Sequence, residues 1–487
     1  MTRKHCNVLI AVDKASEVPL TLQIYRQVCD AIASGQLAAG DRLPPVRTLS
    51  TTVQVSHTTV ENAYLKLSVE GYVRAVPRSG YVVERLDSEF LQTAQRIPHE
   101  ELDRAKLRRA GDAFAAENRQ GGRAAYDFSY ANLQPGSFPV RTWRQLTNEV
   151  LYSNYVPDLA RYGFVDEPNS FRRAMASYLN RTRGMHCTPE QVLPQPGTDG
   201  AIATALQLFD RNAHALAIEE PGYVTVREVA QRLGFTCQAI PSDQGPDAFL
   251  GALRRLHPKI VFTTPSHQFP SGSVLSLQAR IELLKWAEET NAYIIEDDAC
   301  NEYRYDIGPV PSLQSLDARN RVIYLCNFSK SLSPSMRVAY LALPPKLLGR
   351  YLELFSHSHP AVPWLEQEVL ARFVESGAFE QHVRKMSLGN KKRHDLLLSR
   401  LEQQFPTGGV TVSGTNAGMH LYLAVHNGMS QEELLASARA HGAAVYGTKR
   451  FWFSRPAPED RVMVGFSSIR DQDIAPGVAA LRHAWFG

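Results

Sequence analysis

Two apolar runs that end in opposite charges limit the fold of this chain more than any other feature. Ile294-Ile295 leads into Glu296-Asp297-Asp298, and residues 322–326 lead into Asn327-Phe328-Ser329-Lys330, so that an acid and a lysine lie 33 positions apart, each just past a strand-like segment. In an open α/β sheet, groups beyond the carboxyl ends of the strands converge on one crevice, where a carboxylate and a lysine can meet across a ligand. These two runs, 293–296 and 322–326, and further ones at 215–218, 260–263 and 338–343 alternate with helical patterns from Tyr126 to Gly487. That alternation predicts an α/β domain with a mainly parallel sheet.

The other end of the chain has a different texture. Leu20, Ile24, Val28 and Ile32 recur every four residues, which predicts an amphipathic helix over 19–34 closed by Gly35. Leu43-Pro44-Pro45 precedes a short helix over 46–53, because proline's fixed φ and missing donor suit a first helical turn. Gln54-Val55-Ser56 reads as a turn, and 57–70 as a longer helix whose Val60, Tyr64 and Leu67 form a buried stripe. Two β-rich stretches, 71–75 and 80–84, complete the order helix, helix, helix, wing. Two helices across a tight turn make a helix-turn-helix, whose second helix enters a major groove by its N-terminal end. There Ser56, His57, Thr58 and Thr59 are expected to offer hydroxyl and imidazole groups to phosphates and base edges. Arg47 is expected to fix the register on the DNA backbone, Arg78 to occupy the wing tip, and Tyr64 is counted with the DNA-facing residues too. A small packing or dimerisation module is the alternative. Between Pro19 and Arg85 seven Lys/Arg stand against five Asp/Glu, so affinity for DNA would lean on dimerisation.

At 487 residues, 44% apolar and 21% charged, the chain can build two or three separate cores. A net charge of +4 suits a polyanionic partner and a cytosolic enzyme equally well. Six cysteines without Cys-x-x-Cys spacing or a His/Cys cluster suit a reducing cytoplasm and predict no metal site. The short apolar run 8–12 is too brief for a secretion signal, and a soluble, unexported protein is expected. Residues 87–123, charged and ending in Gln120-Gly121-Gly122-Arg123, read as a surface linker with some helix between 99 and 118. The expected domains are therefore 19–86, this linker, and 124–487.

The acid–lysine pair has a chemical meaning. A lysine amine condenses with the aldehyde of pyridoxal 5'-phosphate (PLP) as a Schiff base, while a carboxylate keeps the pyridine nitrogen protonated so that the ring withdraws electrons. Lys330 and Asp297 are assigned these roles; each alone would be a surface lysine and a strand-end cap. Gly197-Thr198-Asp199-Gly200 opens an apolar helix, so its free N–H groups can face a phosphate, with Ser329 and Arg337 completing the cradle.

The N-terminal motifs Leu43-Pro44-Pro45-x-Arg47-x-Leu49, Ser56-His57-x-Thr59-Val60, Ala63-Tyr64-x-x-Leu67 and Glu70-Gly71-Tyr72-Val73 resemble the GntR-type winged helix, with His57 where that family commonly has arginine. Thr264-Pro265-Ser266-His267-Gln268-Phe269-Pro270-Ser271-Gly272 and Glu220-Pro221-Gly222-Tyr223, with the lysine and acid segments, resemble fold-type I aminotransferases. Together the two halves resemble the MocR-type regulators. The resemblance implies PLP on Lys330, with Asp297, Asn327, His267, Thr198, Asp199, Ser329 and Arg337 around it, Tyr223 against the ring and Tyr162 reaching the phosphate of a neighbouring subunit. It implies a homodimer, exchanged head to tail across a linker that spans on the order of 120 Å when extended. It also implies double-stranded DNA and a small-molecule effector as partners.

Two departures bear on activity. Ala299 stands where relatives usually carry a tyrosine that bonds the cofactor's phenolic oxygen, and Met463-Val464-Gly465-Phe466 where they read Arg-Leu-Gly-Phe. Losing that charge-assisted contact with an amino-acid carboxylate removes on the order of 2 to 3 kcal/mol. Arg450, Arg461 and Arg227 are candidates to compensate. The expected function is a PLP-dependent transcriptional regulator responding to an amine or to PLP itself. A working aminotransferase with an accessory DNA-binding module, or a repressor that has lost its cofactor, are the alternatives; without the arginine, PLP or a non-carboxylate amine becomes the more attractive effector.

Overall fold

The computed structural model describes residues 10–16, 18–77, 80–85, 124–130, 132–153, 169–305, 308 and 310–487. Arg78, Tyr162 and the linker at 87–123 lie outside the described residues. The chain divides into two units, Met1–Arg119 and Gln120–Gly487.

In the first unit, α1 (Leu20–Ala33), α2 (Val46–Thr52) and α3 (His57–Val69) precede a hairpin of β1 (Val73–Val76) and β2 (Gly80–Val83). The four-residue apolar step of α1 delivers Ile24, Val28 and Ile32 into one core with Leu49, Val60, Tyr64, Leu67, Val73 and Val83. Pro45 is the residue before α2. The turn into α3 passes through Gln54 at φ 54°, a left-handed conformation that disfavours a side chain, and Ser56 then caps α3 by accepting from the Thr59 N–H at 3.1 Å. The hairpin is antiparallel, Val73 opposite Val83 and Val76 opposite Gly80, and Gly80 sits at φ 81° where the chain reverses.

One expectation is corrected here. Tyr64 does not face DNA: its ring is fully buried and its hydroxyl donates to the Pro44 carbonyl at 3.1 Å. Its place on the apolar stripe of α3 decides its role, tying α3 to the turn before α2.

The second unit begins with β3 (Tyr126–Asp127), which pairs with β13 (Ala443–Ala444). Its main sheet contains β4 (Val192–Gln195), β5 (Leu216–Glu220), β6 (Cys237–Pro241), β7 (Ile260–Thr263), β8 (Tyr293–Asp297), β9 (Val322–Asn327) and β10 (Ala339–Ala342). Their spatial order is β4-β10-β9-β8-β7-β5-β6. From β9 to β6 every neighbour is parallel, and β5, β7, β8 and β9 are buried along nearly their whole length, as helices on both faces require, while β6 at the edge buries only Ile240. β10 is the exception: it runs antiparallel to β9 and to β4. The connection 328–338 holds only a 3-10 turn and no crossover helix, so the chain returns beside β9 in the reverse sense. This return places Lys330 and Arg337 on one loop at the carboxyl end of β9. A smaller antiparallel sheet of β11 (Val410–Ser413), β12 (His420–Val425), β15 (Arg461–Gly465) and β14 (Tyr446–Gly447) packs a core of Leu421, Leu423, Val462 and Val464 with the helices Ala378–Gln404 and Asp471–Phe486. Among the described residues no helix is long and apolar enough to cross a membrane.

Candidate functional site

The carboxyl ends of β8 and β9 open onto a cavity of about 270 Å³. Lys330, Asp297, Asn327, Ser329, Arg337, Thr198, Tyr223 and His267 all line it, so the residues assigned from sequence meet across one space. Asp297 ends β8 and is held by the Ala299 N–H at 3.1 Å. Burial pushes its carboxyl up to about 7, and Lys330 opposes that shift. A cation at the cavity floor would ionise it. Burial lowers the Lys330 amine, with Cys300 and Asp297 acting in the opposite direction. A larger share of neutral amine makes it a better nucleophile. Its Nζ lies 4.4 Å from the centre of the Tyr130 ring, and its carbonyl accepts from the Tyr303 hydroxyl at 2.7 Å, which fixes the loop.

The anion cradle follows from the start of the helix Gly197–Gln207. Gly197 has φ 74°, and a Cβ there would come within 2.8 Å of an Arg337 Nη, so only glycine lets the guanidinium reach the first turn. Asn327 donates to Thr198 Oγ1 at 3.1 Å and accepts from the Ser329 N–H at 2.9 Å, joining the β9 loop to that turn. Asp199 stands outside the cavity lining and pairs with Arg337 at 3.3 Å, which orients the arginine.

Four polar atoms of the lining residues are buried without a hydrogen-bond partner: Ser329 Oγ, Ser266 Oγ, His267 Nε2 and Asp298 Oδ1. Unsatisfied buried polar groups are costly and cluster where a ligand completes them. Acid, lysine, glycine turn, arginine and idle hydroxyl are groups that could hold PLP: Lys330 toward the aldehyde, Asp297 toward the ring nitrogen, and Ser329, Thr198 and Arg337 with the helix N-terminus toward the phosphate. Asp298, also on the lining, is fixed by Arg183 at 2.7 Å and by the Tyr324 hydroxyl at 2.9 Å, a buried ion pair that anchors the end of β8.

Sequence reasoning missed Tyr130, Phe269 and Cys300, which also line the cavity. Tyr130 follows β3, some 200 positions before the lysine, and no local signal marks it. Phe269 is the hub of an aromatic wall, with ring centres 4.8 Å from Phe451, 5.3 Å from Tyr130, 5.7 Å from His420 and 5.9 Å from Tyr223. Met463 is buried in this wall, with Phe269, Phe451 and Trp452. None of the three candidate compensating arginines lines the cavity. Arg227 donates to the carbonyls of Trp452 and Arg450, Arg461 pairs with Asp460, and Arg450 lies over Phe451.

In the first unit, Arg47, His57 and Thr58 are exposed around the first turns of α2 and α3. His57 Nδ1 lies 3.8 Å from Glu61, and the hydroxyls of Ser56 and Thr59 are 2.6 Å apart. The Ser56 oxygen is therefore engaged as a cap and by Thr59, while the free N-terminal surface of α3 carries His57 and Thr58.

Residues 127–455 match the family model for aminotransferase class I and II, and residues 20–83 match that for bacterial regulatory proteins, gntR family. The chain is 34% identical to the uncharacterized HTH-type transcriptional regulator YdeL of Bacillus subtilis, over 97% of this chain and 98% of that one. It is 29% identical to the probable rhizopine catabolism regulatory protein MocR of Rhizobium meliloti, over 98% and 96%. Among solved structures, the multiple substrate aminotransferase of Thermococcus profundus superposes with a TM-score of 0.68 at 24% identity, covering 82% of this chain and 98% of that one. That likeness shows a fold-type I aminotransferase architecture, a fold whose family generally binds PLP.

Proposed function

Because this chain belongs to the MocR type of GntR regulators, DNA-binding transcriptional regulators with an aminotransferase class I and II domain, we propose that its second unit holds PLP on Lys330 and senses a small amine. The observation that carries this reading is the meeting of Lys330, Asp297 and the partnerless Ser329 hydroxyl on one buried cavity. When bound, PLP supplies an electrophilic carbon and a visible chromophore. The protein's own residues do the rest: Asp297 neutralises a cationic ring nitrogen, the Gly197 turn and Arg337 hold a dianion, and the aromatic wall excludes water.

We assign residues 19–86 to DNA recognition, 87–123 to the linker and 124–487 to sensing, in a cytoplasmic homodimer whose linker length permits head-to-tail exchange. Arg47, His57, Thr58 and Thr59 are the groups offered to operator DNA. The aromatic wall around Met463 supports sensing over turnover of α-amino acids, since a substrate carboxylate placed there would lack a cation.

Absorption spectroscopy on purified protein tests the cofactor assignment. Wild type mixed with PLP and freed of excess is expected to retain a visible band that Lys330→Ala lacks; a colourless wild type overturns the assignment. Arg47→Ala and Thr59→Ala are expected to weaken binding to the promoter beside the protein's own gene, and unchanged mobility shifts would refute the groove assignment.

A further inference from the structure

A second cavity, of about 540 Å³, adjoins the first. Asn132 and Pro334 line both, so the outer space is a forecourt to the inner one. Its chemistry is unlike that of the aromatic wall. Ser137, Ser333, Ser335 and Ser468 line it with Asn132, and the loop carrying Ser333 and Ser335 is the same one that carries Lys330. Among the described residues its lining has no Lys, Arg or His, and its one charged group, Asp127, accepts from the Tyr446 hydroxyl at 2.8 Å. Asn132, Gly136 and Ser335 are exposed, so a ligand can enter from that side.

Resting on the reading above, we infer that the effector is a polyhydroxylated primary amine without a carboxylate, its amine directed at Lys330 and its hydroxyls received by the serine-lined forecourt. Two independent features point the same way. On the inner cavity the cations are Lys330 and Arg337, and Arg337 is committed to the Gly197 turn and Asp199, while the position before Val464 is a buried methionine among aromatic rings. A carboxylate would be desolvated there without a counter-charge. In the forecourt Ser468 Oγ is engaged with Ser129 Oγ at 2.9 Å and Ser333 Oγ accepts from the Ser335 N–H at 3.3 Å, so the hydroxyls of Ser137 and Ser335 are the ones offered to donate and accept, which suits a neutral ligand rich in the same groups and gives little to an alkyl chain or an anion.

The test uses full-length protein loaded with PLP and freed of excess cofactor. Three amines of similar length are titrated: 1-amino-1-deoxyglucitol, hexylamine and 6-aminohexanoate. Change in the visible band and thermal shift are read in parallel. The aminopolyol is expected to reach half-effect at a concentration about tenfold or more below the other two, the size expected from two or so net hydrogen bonds. The double variant Ser137→Val/Ser335→Val is expected to bring it to within a few-fold of hexylamine while leaving the band of the unliganded protein unchanged. Hexylamine or 6-aminohexanoate matching the aminopolyol, with a normal band in the absence of amine, overturns the ligand class alone. A wild type that never acquires the band overturns the cofactor reading, and this inference with it.

Discussion

At the residue scale the site is governed by burial. His267 and His420 lie with ring centres 5.2 Å apart, and burial lowers them to about 4 and about 3, helped by Arg304 for the first and by His267 for the second. An unfolded histidine takes up its proton near 6.5, whereas these two stay neutral in the fold. Their contribution to stability is therefore present above 6.5 and is lost as pH falls from there toward 4. Comparing wild type with His420→Asn by chemical denaturation at pH 7.5 and 5 cancels the buried acids common to both. Wild type should lose on the order of 2 kcal/mol more than the variant between those two values; an identical loss would place His420 in contact with water. Arg183→Ala leaves Asp298 charged and buried, and should lower stability by about 3–5 kcal/mol in the same measurement.

At the scale of elements, one helix start and one return loop make the proposed anion cradle. Gly197→Ala would push a methyl against the Arg337 guanidinium and strain a left-handed φ, so PLP retention on gel filtration should fall at least tenfold, while circular dichroism stays that of wild type. In the first unit, Ser56→Ala removes the cap of α3 and should cost about 1 kcal/mol of that unit's stability. The helix-turn-helix and wing were legible because each element carries its own signal: the four-residue step of α1, the proline pair before α2, the Ser56 cap and the glycine of the hairpin. Tyr64 was misjudged because one residue served two arguments, a core stripe and a recognition surface, and packing settled it for the core.

On the scale of the whole molecule, the two units have separate apolar cores. Calorimetry should then resolve two transitions, with PLP raising only that of the larger unit, because a ligand stabilises the cooperative block that contains its site. Operator DNA should raise only the other. A single transition shifted equally by both ligands would show that the units unfold as one.

By itself the sequence determined the two textures, the α/β class of the long segment, and the positions of the acid, the lysine and the glycine turn, because strand ends, helix starts and charged residues are local and periodic signals. Only the tertiary structure decided what surrounds them. The reversed β10, the aromatic wall that seals Met463, the arrival of Tyr130 at the lysine and the hydroxyl-lined forecourt all join segments far apart in the chain. Such contacts depend on which surfaces close over one another, and no spacing along a single strand or helix encodes that.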